Sequence, residues 1–166
     1  MRETLLYLRK MRDDGIISKY AVGGAMAATF YIEPITTFDL DVFVALSQAD
    51  GNVLVSLAPL YGHLRAAGHK EDKECVIIGS IPVQFIPTYN PLTEEALANA
   101  VTMDYGGIEV PVFSAEHLVA IAVQTGRGKD RARVQSFREC DILDLTKLTD
   151  ILKRHGLEEK WKHWTS

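Results

Sequence analysis

The sequence predicts an α/β fold: a mixed, largely antiparallel sheet with helices packed on it and a helical extension at its C-terminal end. Three observations carry that expectation. Apolar runs of strand length alternate with helical patterns through residues 1–113. Two glycine turns, Gly79-Ser80 and Gly106-Gly107, join neighbouring apolar runs as hairpins. From residue 114 onward the pattern is helical, and from Arg127 it is strongly charged. No internal repeat, low-complexity tract or Pro/Ser-rich linker interrupts the chain, so a single domain over 1–166 is expected, with a core of about 1–113 and an extension of about 114–166.

Each element has a local cause. Leu5, Leu8 and Met11 recur near helical spacing over residues 2–13, and Asp13-Asp14-Gly15 stops that helix. A short strand follows at 20–22, then a helix of small residues at 24–31, which Pro34 ends because the residue before a proline avoids helical geometry. A strand is expected at 39–46, then a turn at Asp50-Gly51 and a helix closing at Ala66-Ala67-Gly68. Strands at 74–78 and 81–86 flank Gly79-Ser80, with Pro82 near a strand start where a missing N–H is tolerated. Pro91 opens a short helix for which Thr93 is the expected N-cap. The second hairpin ends at 108–112, and Ser114 caps the next helix, with Leu118, Ile121 and Ala122 as its apolar stripe. Further on, Leu143, Leu145, Leu148, Ile151 and Leu152 supply a buried side, Gly156 stops the helix, and Trp161 with Trp164 reads as a core anchor rather than a binding surface.

Composition narrows the function classes. Of the 166 residues, 47% are hydrophobic and 24% charged, ordinary values for a soluble globular chain. No apolar run approaches a membrane span, and the patch Leu5, Leu6, Leu8 is broken by Arg9 and Lys10 before it resembles a signal peptide; a cytoplasmic location is expected. Cys75 and Cys140 lack metal-ligand spacing and are expected to be buried free thiols. The net charge of −4 is uneven: residues 1–126 hold 8 basic and 15 acidic side chains, residues 127–166 hold 10 and 7. DNA binding is not expected of such a chain, whereas the basic segment suits either a local phosphate or RNA contact or a solvated helix face. The five histidines form no HExxH pair, no Ser-His-Asp or Cys-His pattern stands out, and no GxxxxGK[ST] loop is present.

The chemistry concentrates in residues 20–44. An apolar strand runs into Gly23-Gly24 and then a small-residue helix, an arrangement that brings free backbone N–H groups and a helix N-terminus to a turn a phosphate could approach. Next comes a β-rich run carrying Asp39 and Asp41, a residue type normally depleted in strands. At i, i+2 the two carboxylates share a face, about 6.6 Å apart along the backbone, while Leu40, Val42 and Val44 face a core. Paired carboxylates beside a phosphate cradle suit Mg²⁺, which prefers one or two carboxylates plus substrate phosphates.

Gly23-Gly24 followed by Thr37-x-Asp39-x-Asp41 resembles the signature of the DNA polymerase β-like nucleotidyltransferase superfamily. The chain is most similar to its small bacterial members related to abortive-infection and toxin–antitoxin toxins; Ser114 to Leu118 and Gly126 to Arg131 resemble their C-terminal helices, and Leu152 to Leu157 with Trp161 is similar to their usual ending. The resemblance implies an NTP substrate, Mg²⁺ or Mn²⁺ as cofactor, and transfer of a nucleotidyl group to a hydroxyl of RNA, a protein or a small molecule. It implies Asp39 and Asp41 as catalytic metal ligands, Gly23, Gly24 and Thr37 as nucleotide-binding residues, and a cognate antitoxin as a partner. Outside the motif, Lys129, the candidate nucleotide-binding cation, together with Arg127 and Arg131 either binds the nucleotide phosphates or an acceptor or is solvated helix charge; Asp130 is either a helix salt-bridge partner or an acceptor contact.

Three departures bear on catalysis. Gln84 stands where active members carry a third carboxylate, and an amide brings a metal neither charge nor a proton acceptor. Ile35 stands where many relatives have a basic residue, and Gly24 replaces a serine. The contrasting expectation is a degenerate member that keeps nucleotide or partner binding without transfer. A carboxylate such as Glu74 or Asp104 reaching the Asp39/Asp41 face would favour catalysis.

Overall fold

The computed structural model describes residues 1–45 and 56–166. Among them seven strands form one mixed sheet: β1 (Tyr20–Val22), β2 (Leu40–Val44), β3 (Lys70–Asp72), β4 (Cys75–Ile78), β5 (Ile81–Pro87), β6 (Val101–Tyr105) and β7 (Ile108–Val112). Their spatial order is β3-β4-β5-β2-β1-β7-β6. The pairs β2–β5 and β1–β7 are parallel and the other four antiparallel, among them the two expected hairpins β4–β5 and β6–β7. β2 therefore lies in the interior of the sheet, with Asp41 opposite Gln84 on one side and Val42 opposite Val22 on the other.

Eight helices accompany the sheet among the described residues: α1 (Arg2–Asp13), α2 (Gly24–Ala28), α3 (Ala58–Ala66), α4 (Pro91–Ala98), α5 (Ala115–Thr125), α6 (Gly128–Glu139), α7 (Leu145–Arg154) and α8 (Glu158–Thr165). The Leu5, Leu8 and Met11 stripe of α1 is buried, and the hidden Thr4 hydroxyl donates to the Ile78 carbonyl at 2.9 Å. Leu40, Val42 and Val44 are fully buried, as their alternation predicts. Trp161 and Trp164 pack half-buried against the core. No helix among the described residues is long and apolar enough to cross a membrane.

Several expectations change. β2 begins at Leu40, so Asp39 sits one residue before it; the expected strand end at Leu46, the Asp50-Gly51 turn and the start of the next helix lie outside the described residues. α2 closes at Ala28, because the Thr29 and Phe30 N–H groups turn back three residues to Met26 and Ala27 while the Tyr31 hydroxyl is drawn to the Phe113 carbonyl at 2.9 Å. Asn90, not Thr93, caps α4: its side chain accepts the Thr93 N–H at 2.9 Å, placing Pro91 at the first helical position, where its lost N–H has no helical partner anyway. The edge strand β3 is an addition; wholly exposed Lys-Glu-Asp carries no apolar alternation to announce it. Neither thiol is fully buried, since Cys140 is exposed at the end of α6 and Cys75 is half-buried.

One acidic side chain ties the extension to the sheet. Glu95 of α4 receives the His117 Nε2 of α5 at 3.1 Å, the His155 Nε2 at 2.7 Å, and both ends of the Arg154 guanidinium from α7. A carboxylate only accepts, so Nε2 carries the proton of a neutral His117 and Nδ1 accepts from the Ser114 hydroxyl at 2.9 Å. The Arg154 hydrogen bonds, followed by those of the histidines, pull the Glu95 carboxyl down to about 2. A carboxyl depressed in the folded state stabilises above its unfolded value and loses that contribution as pH falls through the folded one. Glu95→Gln is therefore expected to destabilise the protein by about 1–3 kcal/mol at pH 7. Urea midpoints should show that deficit shrinking between pH 4.5 and pH 3; an equal deficit at both ends would exclude the ionised carboxylate as its cause.

Candidate functional site

The floor of the site is where β1 turns into α2 beside β2. The Gly23 N–H donates to the Asp41 carbonyl at 3.0 Å, which holds the turn against the strand. This N–H is thus not free for a phosphate, contrary to expectation. A Cβ at Gly23 would lie 2.4 Å from the Phe43 ring, which packs at a tilt against Phe113 with centroids 4.7 Å apart. Gly24 has φ +62°, and a Cβ there would meet the Asp41 carboxylate at 1.8 Å. Both glycines are therefore required by close approach, and the second also by backbone sign. Asp39 and Asp41 line one cavity of about 1060 Å³, with Ala25 of α2 beside them. The Thr37 hydroxyl donates to Asp39 Oδ1 at 3.1 Å and fixes that carboxylate's orientation.

The facing wall is α6. Arg127, Lys129 and Arg133 line the same cavity, and Lys129 is exposed within it. Asp130, only 1% exposed, accepts from Arg127 Nε at 2.7 Å, from Nη2 at 3.2 Å and from the backbone N–H at 3.2 Å, closing the helix N-terminus. Of the two alternatives for Asp130, the helix salt-bridge partner is the one observed. Arg131 projects away from this wall, lining a shallow pocket with Trp164. The parallel register sets Gln84 beside Asp41, and its amide donates to Glu74 Oε2 at 3.2 Å. Asp72 at the end of β3 and Glu74 in the β3–β4 turn line the cavity, whereas Asp104 lies on β6 and caps the Gly107 N–H. Among the described residues no three His, Cys, Asp or Glu side chains converge on one metal position. Asp39 and Asp41 alone remain a fitting donor pair for a hard cation that completes its shell with water and phosphate oxygens.

The structure thus gathers Asp39, Asp41, Thr37 and Lys129 around one cavity, with Gly24 against Asp41 and Gly23 buried behind it. Sequence inspection missed Arg133, although its i, i+4 spacing from Lys129 puts the two on one helix face. It also missed Asp72, which only the unannounced β3 brings near. Glu33 and the 84%-exposed Phe38 at the rim carried no pattern to single them out.

No family model matches the chain, and no curated protein matches it in sequence. Solved structures do match in fold. An antigenic nucleotidyltransferase-like protein from Paracoccidioides brasiliensis is 14% identical with a TM-score of 0.60, covering 96% of this chain and 90% of that one. The antibiotic-resistance factor ANT(2'')-Ia in solution is 16% identical with a TM-score of 0.52, covering 98% and 97%. A crystal structure of ANT(2'')-Ia with adenylyl-2''-tobramycin gives 15% and 0.53, covering 95% of each chain. The chain has a nucleotidyltransferase-like fold.

Burial, and then the neighbouring Asp39 charge, push the Asp41 carboxyl up to about 6, against the opposing pull of Arg127, Arg133 and Lys129. A carboxyl raised in the folded state favours folding when protonated and opposes it once pH rises through the folded value. Asp41→Asn should therefore stabilise the metal-free protein at pH 7.5. The gain expected is roughly 1–3 kcal/mol, because each tenfold weakening of an acid on folding corresponds to about 1.4 kcal/mol. It should close by pH 4. Chemical denaturation of both proteins at the two pH values checks this, and a variant less stable than its parent at pH 7.5 would contradict the buried, crowded carboxylate.

Proposed function

We propose that this protein binds an NTP with Mg²⁺ or Mn²⁺ and transfers its nucleotidyl group to a hydroxyl acceptor on RNA, a protein or a small molecule. The observation that carries the proposal is the carboxylate pair at the start of β2, Asp39 just before it and Asp41 within it, facing the cations at α6 across one cavity. Asp39 and Asp41 would hold the metal, which when bound supplies positive charge at the reacting phosphate. Thr37 keeps Asp39 oriented, and Gly24 leaves room for the Asp41 carboxylate to lie flat against the turn. Lys129 is exposed on the opposite wall, where it can pair with the phosphate tail as a mobile point charge. The cavity volume is at the upper end of the range for a single small ligand, leaving room for an acceptor beside a nucleotide.

One observation favours a second function, nucleotide or partner binding without transfer, as in a toxin–antitoxin component. Gln84 occupies the register position beside Asp41 where a third carboxylate would complete the metal site. It cannot accept the acceptor's proton. Glu74 lies next to it, hydrogen-bonded to the amide, and is the carboxylate best placed to substitute.

Gln84→Asp tests both possibilities. It adds a charged ligand and a proton acceptor, so it is expected to raise nucleotidyl transfer, on the order of 10²-fold if it acts as a general base. Labelled NTPs, Mg²⁺ or Mn²⁺, and a cell extract as acceptor pool provide the assay, with calorimetric NTP binding as its companion. Asp41→Ala should abolish metal-dependent NTP binding, while Gln84→Ala should weaken it little. Equal losses in the two variants would remove Asp41 as the principal ligand, and metal-dependent binding without transfer in parent and Gln84→Asp alike would favour the non-catalytic function.

A further inference from the structure

Phe38 is the most exposed large hydrophobic side chain among the described residues, at 84%. It does not stand on open surface. It lines the rim of the cavity, one residue from Asp39 and next to Thr37, whose hydroxyl holds that carboxylate. Exposed Pro34 and half-buried Ile35 line the same cavity, so the segment 33–38 presents a short apolar strip whose one charge is Glu33. No lysine or arginine occurs between Lys19 and Arg65; the cations that line the cavity come from α6, its N-cap and the β3–β4 turn.

Scattered apolar side chains on an open surface call for no explanation. A bare phenyl face beside paired carboxylates is different, because it offers a flat surface on which another ring stacks without a polar partner. Charge and reaction geometry decide what lies on it. Polyphosphate is drawn to the α6 wall, whereas Glu33, Asp39 and Asp41 repel it from the strip. In a nucleotidyl transfer the attacking and leaving oxygens lie roughly in line on opposite sides of the phosphorus. With the pyrophosphate end toward α6, the attacking hydroxyl approaches from the carboxylate side, where Phe38 stands. We infer that Phe38 is the residue on which the acceptor stacks, and that the acceptor is an uncharged small molecule carrying a planar ring beside its hydroxyl. The inference rests on the transfer function proposed above and names the acceptor's class. In the step it serves, the acceptor oxygen bonds the α-phosphorus and the bond from that phosphorus to the α–β bridging oxygen breaks. Pyrophosphate leaves with the electron pair, and the hydroxyl proton passes to water. A polynucleotide is disfavoured, since its backbone would bring phosphates against an acidic strip without cations.

Two uncharged probes separate the sources of such a ring: adenosine presents a base beside ribose hydroxyls, and N-acetyltyrosinamide presents a phenol. Myo-inositol offers hydroxyls without a planar ring. Each is titrated by saturation-transfer NMR into the parent, Phe38→Leu and Phe38→Tyr, with and without a saturating non-hydrolysable ATP analogue and Mg²⁺, after thermal melting has confirmed folding. At least one ring-bearing probe is expected to bind the parent, to bind Phe38→Leu about 10-fold more weakly, and to bind Phe38→Tyr as it does the parent. Myo-inositol should show no dependence on the substitution. Parent-like binding of both ring probes by Phe38→Leu, uptake of neither by the parent, or tighter binding of an oligoribonucleotide than of either would each overturn the inference. A companion calorimetric series compares the ATP analogue with tripolyphosphate, both with Mg²⁺. If Phe38→Leu weakens the ATP analogue and leaves tripolyphosphate unchanged, the stacked ring is the nucleotide's own base, and the acceptor assignment falls while the nucleotide function stands. If the parent takes up neither compound yet a ring probe still depends on Phe38, the nucleotide function fails and the ring contact stands.

Discussion

The Asp41 carboxylate lies so close to the Gly24 backbone that no side chain fits between them, and much of the molecule is arranged around that approach. It obliges the β1–α2 turn to carry glycine with a positive φ. The Gly23 N–H is drawn onto the Asp41 carbonyl, and the Phe43 and Phe113 rings close over the space a Cβ would need. The turn and β2 are thus one rigid unit, and the carboxylates it presents are set by backbone geometry rather than by loop conformation. Their mutual crowding is an energetic burden that a cation would relieve. Sites that keep such a burden commonly use it.

The opposite wall is held by a different device. α6 reaches the cavity only because the extension is docked, and the docking is polar at its centre. Glu95 gathers donors from α5 and from the C-terminal end of α7, and Ser114 both caps α5 and orients the His117 imidazole. The Tyr31 hydroxyl bonded to the Phe113 carbonyl fastens the segment after α2 to the same region. Apolar contact supplies the bulk of the attachment through buried Leu148, Ile151 and Leu152, while these directional bonds fix how the helices lie.

Where the sequence was legible, local rules and tertiary demands agreed. The alternation of Leu40, Val42 and Val44 predicted which face of β2 is buried, and Gly79-Ser80 predicted the β4–β5 hairpin. The i, i+2 spacing of Asp39 and Asp41 put both carboxylates into one cavity. What was hidden depended on partners far away in sequence. β3 is all charged and exists only because β4 offers an edge to pair with. Asn90 outcompeted Thr93 as a cap because Pro91 fits the first helical position, a choice the run Asn-Pro-Leu-Thr leaves open until the backbone is seen. The shortness of α2 comes from a hydroxyl reaching a carbonyl 82 residues on. The pairing of Glu95 with Arg154 and His155 spans about sixty positions, a separation at which spacing carries no signal.

The order of the two walls along the chain has its own consequence. The carboxylates at 39 and 41 precede the cations at 127–133 by more than eighty residues, and β7, which flanks β1 in the sheet, falls between them. A polypeptide emerging from the ribosome exposes its acidic floor long before the basic wall exists, and synthesis at about 5–20 residues per second leaves that interval open for seconds. During it the growing chain has an anionic strand with no opposing charge. The basic wall arrives late, when the last third of the molecule docks, so a truncated or stalled product keeps the acidic half of the cavity and none of the basic half.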